Sequence, residues 1–211
     1  MKVRFVLLAE GPSDEPLVPH LENLCLRAGA TVVSVYWLDF RRVGDPPGRK
    51  LGDQLAWLMR NTSFNLLFIH RDADDADDSQ ARSTIENGIR ESSVATPHVP
   101  VVPIQELEAW LLLDEPMLRS VAGNPRGKQP LDLPKSKLVE RRARPKELLK
   151  AALKAAEKPG RRSQPFGHAR RLLLERLDLD GPINQLEAWK KLLADIDTAI
   201  TRLRSPVSTD S

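Results

Sequence analysis

NLLFIHRDADDADD, residues 65 to 78, holds the two signals on which the fold turns. An apolar run of strand length, Leu66 to Ile69 with Phe68 inside it, breaks at once into a cluster of aspartates. A short continuous apolar run reads as a strand covered on both faces, as in a parallel sheet. In open parallel sheets, ligands bind outside the carboxyl ends of the strands, so residues directly after such a run carry the most functional weight. Asp72 and Asp74 fall there.

Working outward, the same alternation recurs on both sides of this stretch. VRFVLLA (3–9), TVVSVYWL (31–38) and HVPVVPI (98–104) read as further strands, the last interrupted by prolines that suit a sheet edge. The run containing Tyr36 reads as a buried strand. Between the strands, LVPHLENLCLRAG carries Leu17, Leu21, Leu24 and Cys25 at helical spacing; Pro19 limits its start and Gly29 its end. LGDQLAWLMRN (51–61), SQARSTIENGIRES and QELEAWLLLDEPML read as helices, and Ser13 as the cap of the first. The succession βαβαβαβα predicts an α/β fold: a mainly parallel, Rossmann-like sheet of about four strands with helices on both faces.

The composition changes near Glu115, and no strand pattern follows. The expected organisation is a domain over 1–114 and a basic helical extension over 115–211, packed on or beside it. Residues 1–114 hold 11 Lys and Arg against 17 Asp and Glu, a net of −6; residues 115–211 hold 21 against 12, a net of +9. RRARPKELLKAALKAA, FGHARRLLLERL and LEAWKKLLADIDTAITRL are helical, the last with Leu186, Trp189, Leu193, Ile196 and Ile200 on one stripe. An acidic half beside a basic half is the charge pattern of a metal-binding domain joined to a polyanion-gripping extension. Arg141, Arg142, Arg161 and Arg162 are the candidate nucleic-acid contacts, with Lys135, Lys137, Arg144, Arg170 and Arg171 beside them. The same residues read otherwise as the wet face of a helical cap. The four tryptophans lie on apolar stripes and are assigned to the core rather than to base stacking.

With 41% hydrophobic and 29% charged residues the chain has globular composition. One cysteine, Cys25, rules out a disulfide framework and a cysteine-rich zinc site within one chain, and no run reaches the ~18 apolar residues a membrane helix needs. A cytoplasmic protein with no membrane contact is expected.

Three strand ends carry acidic residues: Glu10 after the first strand, Asp72 and Asp74 after the third, Glu106 and Glu108 after the fourth. If RDAD stays extended, Asp72 and Asp74 point to one side. If residues 105–113 are helical, Glu106 and Glu108 diverge by about 200° and only one faces the site. Oxygen ligands without cysteine favour Mg²⁺ or Mn²⁺. For Asp77 and Asp78 the preferred reading is a solvated loop capping the next helix. A calcium loop counted from Asp75 fails, because position six is Gln80 and not glycine. AGNPRGKQ (122–129) lacks the first glycine and the Ser/Thr of a phosphate loop, and no strand precedes it.

Together, AEGPSDE, HRDADD and PIQELEAWLLLD resemble the Toprim superfamily, and more narrowly bacterial Toprim-like proteins related to the nuclease half of OLD-family proteins. The likeness covers about residues 3–114. It implies a strand-terminal glutamate, matched by Glu10, and an Asp-x-Asp motif, matched by Asp72 and Asp74, which bind magnesium and serve phosphodiester chemistry. Further acidic ligands for a second metal would match Glu106, Glu108 or Asp14. The implied function is Mg²⁺-dependent cleavage of DNA or RNA in an anti-phage defence system, with a separate ATPase as partner. The other reading is a non-catalytic regulatory module that binds nucleic acid or nucleotides. Oligomeric state stays open, a homodimer included. A topoisomerase would need a nucleophilic tyrosine, and the only tyrosine, Tyr36, reads as buried.

Overall fold

In the computed structural model, residues 1–158, 160 and 163–205 are described. Their contacts gather into two compact units. Among the described residues, the first comprises 1–71, 79–101 and 191–205; the second comprises 72–78, 102–158, 160 and 163–190. Residues 102–114, which precede the composition shift, thus keep company with the helices that follow it.

The first unit is built in the order β1 (Lys2–Leu8), α1 (Val18–Arg27), β2 (Val32–Trp37), α2 (Leu51–Asn61), β3 (Leu66–His70), α3 (Ser79–Glu91) and β4 (His98–Val101). The four strands form one parallel sheet in the order β2-β1-β3-β4. This is the α/β, Rossmann-like architecture expected. Leu7 lies opposite Trp37 on one side and Phe68 on the other, so β1 is central. β3 is buried at all five positions, and the Phe5 and Phe68 rings meet edge-on at 5.0 Å. Burying side chains of this size supplies roughly 1.5–3 kcal/mol each. Pro100 sits in β4 at the sheet edge, where a missing N–H costs no ladder bond.

Strand order also decides the faces. From β1 the chain moves one way to β2, then crosses back over β1 to β3 and on to β4. Right-handed crossovers therefore put α1 on one face and α2 and α3 on the other. α2 and α3 pack together closely: at Gly88 an added Cβ would stand 2.7 Å from Leu51. α1 ends where expected, with Gly29 at φ +95° in the left-handed region, and Arg204 donates to the carbonyl of Ala28. Ser13 is no cap: it lies inside a 3-10 helix over Pro12–Leu17 whose N-cap is Gly11, and its hydroxyl turns to Asp14 Oδ1 at 3.3 Å.

Tyr36 departs from expectation. β2 is an edge strand with alternating exposure, and Tyr36 is 44% exposed. Its apolar sequence resembles that of a central strand, but it lies at the sheet edge, paired with β1 and packed against α1.

The second unit is helical: α4 (Glu108–Leu111), α5 (Glu115–Val121), α6 (Ser136–Val139), α7 (Pro145–Ala156), α8 (Phe166–Glu175) and the start of α9 (Glu187–Arg204). QELEAWLLLDEPML does not form one helix. Asp114 interrupts it by accepting the N–H of Met117, and Pro116, which has no N–H to give, falls in the first turn of α5. α7 starts at Pro145 rather than Arg141, since proline suits the first helical position and disfavours helix in the residue before it. α4 and α5 pack on α7 and α8, and Trp110 meets Trp189 edge-on at 5.1 Å, both buried. Glu140 accepts the N–H groups of Glu187 and Ala188, which serves the start of α9. Further along α9, Leu192 takes the fully buried position expected of Leu193.

Candidate functional site

The reversal of chain direction between β1 and β3 is a topological switch point, where the segments leaving two adjacent strands turn away from each other. Glu10 follows β1 by two residues, and Asp72 follows β3 by two. The strand ends that flank the switch point are therefore the two whose continuations carry these carboxylates.

Glu10 is exposed, and its Oε1 lies 3.5 Å from Arg71 Nη1. An ion pair open to water is worth about 0–1 kcal/mol, so it places little constraint on either side chain. Past β3 the backbone stays extended through Ala73: Arg71 N–H donates to Val101 and Ala73 N–H to Pro103, two residues apart on both sides. At Asp74 the chain turns, with φ +55°, and its N–H reaches the carbonyl of Gln105 at 2.8 Å. Asp72 and Asp74 therefore do not lie two residues apart on one extended strand. Asp72 Oδ1 accepts the N–H of Leu107 at 2.9 Å, whereas Asp74 is exposed. A non-glycine residue in the left-handed region carries a small strain cost, and aspartate tolerates it better than most. Asp77 is exposed, as a solvated loop implies, whereas Asp78, directly before α3, is 4% exposed.

The remaining acidic candidates are drawn elsewhere. Asp14 is buried against His70, Oδ2 to Nδ1 at 3.2 Å. Glu108 is buried in an ion pair with Arg170 at 2.9 Å, which also removes Arg170 from any solvent-facing basic surface. Two charges withdrawn from water in this way depend on each other, because either alone would be stranded in low dielectric. Glu106 accepts the N–H of Lys146 in the first turn of α7, a favourable place for an anion. Glu106 and Glu108 accordingly diverge, but through a turn before α4 rather than around one helix, with Gln105 at φ +64°.

Glu10, in the first unit, and Asp72 and Asp74, in the second, are oxygen donors of the kind a hard divalent ion takes. Among the described residues, no three or more His, Cys, Asp or Glu side chains are gathered into a ligand cluster. The fit thus rests on donor type and strand-end position. Of the basic candidates, Arg141 and Arg142 are exposed, as are Arg144 and Lys137, while Arg161 and Arg162 lie outside the described residues. In the second unit a cavity of about 230 Å³ is lined by Lys150, Lys154, Phe166 and one carboxylate, Glu157, which suits no cation.

Sequence reading passes over the carboxyl end of β2. An apolar run looks the same at the centre and the edge of a sheet, and only the Arg41-Arg42 pair after Asp39 hints at a polar surface there. Among the described residues no helix is long and apolar enough to cross a membrane. No known protein family, curated protein or solved structure matches this chain.

Proposed function

We propose that this chain is a Toprim-like, Mg²⁺- or Mn²⁺-dependent phosphodiesterase acting on nucleic acid, with Glu10, Asp72 and Asp74 as its metal ligands. One observation carries the reading. The strand order β2-β1-β3-β4 sets the switch point between β1 and β3, the two strands whose continuations bear these three carboxylates. A divalent ion held there would polarise phosphoryl oxygens and lower the pKa of a bound water. The chain's own contribution is to hold the ion with carboxylate oxygens, to fix Asp72 through the Leu107 N–H, and to keep Arg71 beside Glu10 as a charge for an incoming phosphate. Asp14 and Glu108 are left out of the ligand set, since both are committed to buried partners. The function fits a nuclease subunit of an anti-phage system whose ATPase is a separate chain.

A second reading draws on the Glu10–Arg71 pair, in which the glutamate already faces a cation of its own chain. On that reading the domain keeps its fold to bind nucleic acid or nucleotides for a partner, without turnover.

The test is cleavage of labelled DNA and RNA by the purified chain with Mg²⁺ or Mn²⁺. Metal-dependent cleavage by the wild type and its loss in Asp72→Ala and Asp74→Ala, with folding intact by circular dichroism, are expected. Cleavage unchanged in Asp72→Ala would sink the proposed ligand set; binding without cleavage by the wild type favours the second reading.

A further inference from the structure

The exposed side of β2 ends in chemistry that the core does not use. Val32 and Tyr36 are 50% and 44% exposed, and Tyr36 sits at the carboxyl end of the strand beside Trp37. A groove of about 290 Å³ opens there, lined among others by Pro12, Glu15, Tyr36, Trp37, Asp39 and Arg42. That is at the small end of the ~300–1,000 Å³ of small-molecule pockets, a size for one nucleotide rather than a folded surface. Pro12 and Glu15 belong to the 3-10 helix that begins two residues after Glu10, so the groove lies at the same carboxyl end of the sheet in the first unit.

Two kinds of side chain meet in it. Tyr36 and Trp37 offer aromatic surface. Asp39 grips Arg41 with two hydrogen bonds, 2.9 and 2.7 Å, but stands 3.6 Å from Arg42, whose side chain is 86% exposed. The hydrogen bond from Arg41 pulls the Asp39 carboxyl down to about 2, so it stays charged and keeps Arg41 occupied. Arg42 shares the Asp39 carboxylate at 3.6 Å, and the rest of its guanidinium is turned toward solvent.

We propose that this groove takes single-stranded nucleic acid, one base stacking on Tyr36 while a backbone phosphate meets Arg42. A duplex hides its base faces, whereas an unpaired strand offers them to any aromatic ring. A guanidinium matches the two oxygens of a phosphate. Glu15 and Asp39 share the lining with Arg42, so the groove holds negative charge as well as positive, and a phosphate there is expected to bind weakly. This deepens the phosphodiesterase reading and rests on it for the substrate class, but its test needs no cleavage.

Fluorescence anisotropy with labelled (dT)₁₂ and with a 12-base-pair duplex, in EDTA at low salt, isolates the groove from the metal site. Tighter binding of the single strand is expected. Tyr36→Ala should weaken it by about tenfold, Tyr36→Phe should keep it, and Arg42→Ala should weaken it and lower the salt slope by about one. Glu15→Gln should tighten it. Circular dichroism and melting confirm that each variant folds. The inference fails if the wild type does not bind the strand, or if Tyr36→Ala binds as the wild type does. It fails also if Tyr36→Ala turns a dimer into a monomer by sedimentation, which would mark this face as an interface between two copies. Strand binding that depends on Tyr36, with no cleavage in Mg²⁺ or Mn²⁺, upholds the groove and removes the hydrolysis reading. Cleavage with binding indifferent to Tyr36 does the reverse.

Discussion

β2 and β3 are both short, largely apolar runs, VVSVYW and LLFIH, yet one alternates between exposed and half-covered positions while the other is buried throughout. The difference is one of neighbours. β3 has a strand on each side and lies within the sheet, whereas β2 has β1 alone and α1 packed against it. Apolar content therefore marks a strand without marking its place, and the two strands serve different ends: β3 delivers Asp72 and Asp74 past its carboxyl end, and β2 presents Tyr36 to solvent.

The contrast can be broken most forcefully at Phe68. Phe68→Ala removes a ring with no exposure that packs on Phe5, and should lower stability by about 3–5 kcal/mol in urea unfolding. A loss below about 1 kcal/mol would mean that β3 is not the buried centre described.

An effect spread over pH tests α1, which packs on β2 and buries Cys25. Burial, and then Glu22, push its thiol up from the usual 9.0 to about 12. The folded chain thus holds this proton more tightly than the unfolded chain does. The corresponding stability is complete below pH 9 and is lost as pH rises from about 9 toward about 12, by at most roughly 1.4 kcal/mol per pH unit. Cys25→Ala should lack that slope in pH-dependent unfolding. In the native wild type the thiol should be inert to a disulfide reagent at pH 8, and rapid native labelling would contradict its burial.

The smallest change is expected on the open side. Tyr36→Thr keeps strand propensity at a position 44% exposed, so unfolding midpoints should imply less than about 1 kcal/mol. A larger loss would return Tyr36 to the core.

Much of the fold is legible in the chain because period and punctuation are local. All four strands and the helices after the first three lie within a few residues of their apolar runs, and Gly29 stops α1 as its sequence suggests. What is not local was not legible. QELEAWLLLDEPML splits because Asp114 prefers to cap rather than continue. Extended geometry ends at Asp74 because the next hydrogen bonds go to Gln105, thirty-one residues away in sequence. Glu108 and Asp14 have the composition of ligands, but Arg170 and His70, both distant along the chain, claim them.

By itself, then, the sequence determined the alternation of strands and helices, the strand-end position of Glu10, Asp72 and Asp74, and the separation of acidic from basic halves. Those depend on spacing, turn residues and charge, all of which act over a few neighbours. Tertiary structure alone decided that β1 and β3 are adjacent, that β2 is an edge exposing Tyr36, and which carboxylates are bound into buried pairs. Strand order and charge pairing are set by contacts between residues far apart in the chain, and no local pattern encodes them.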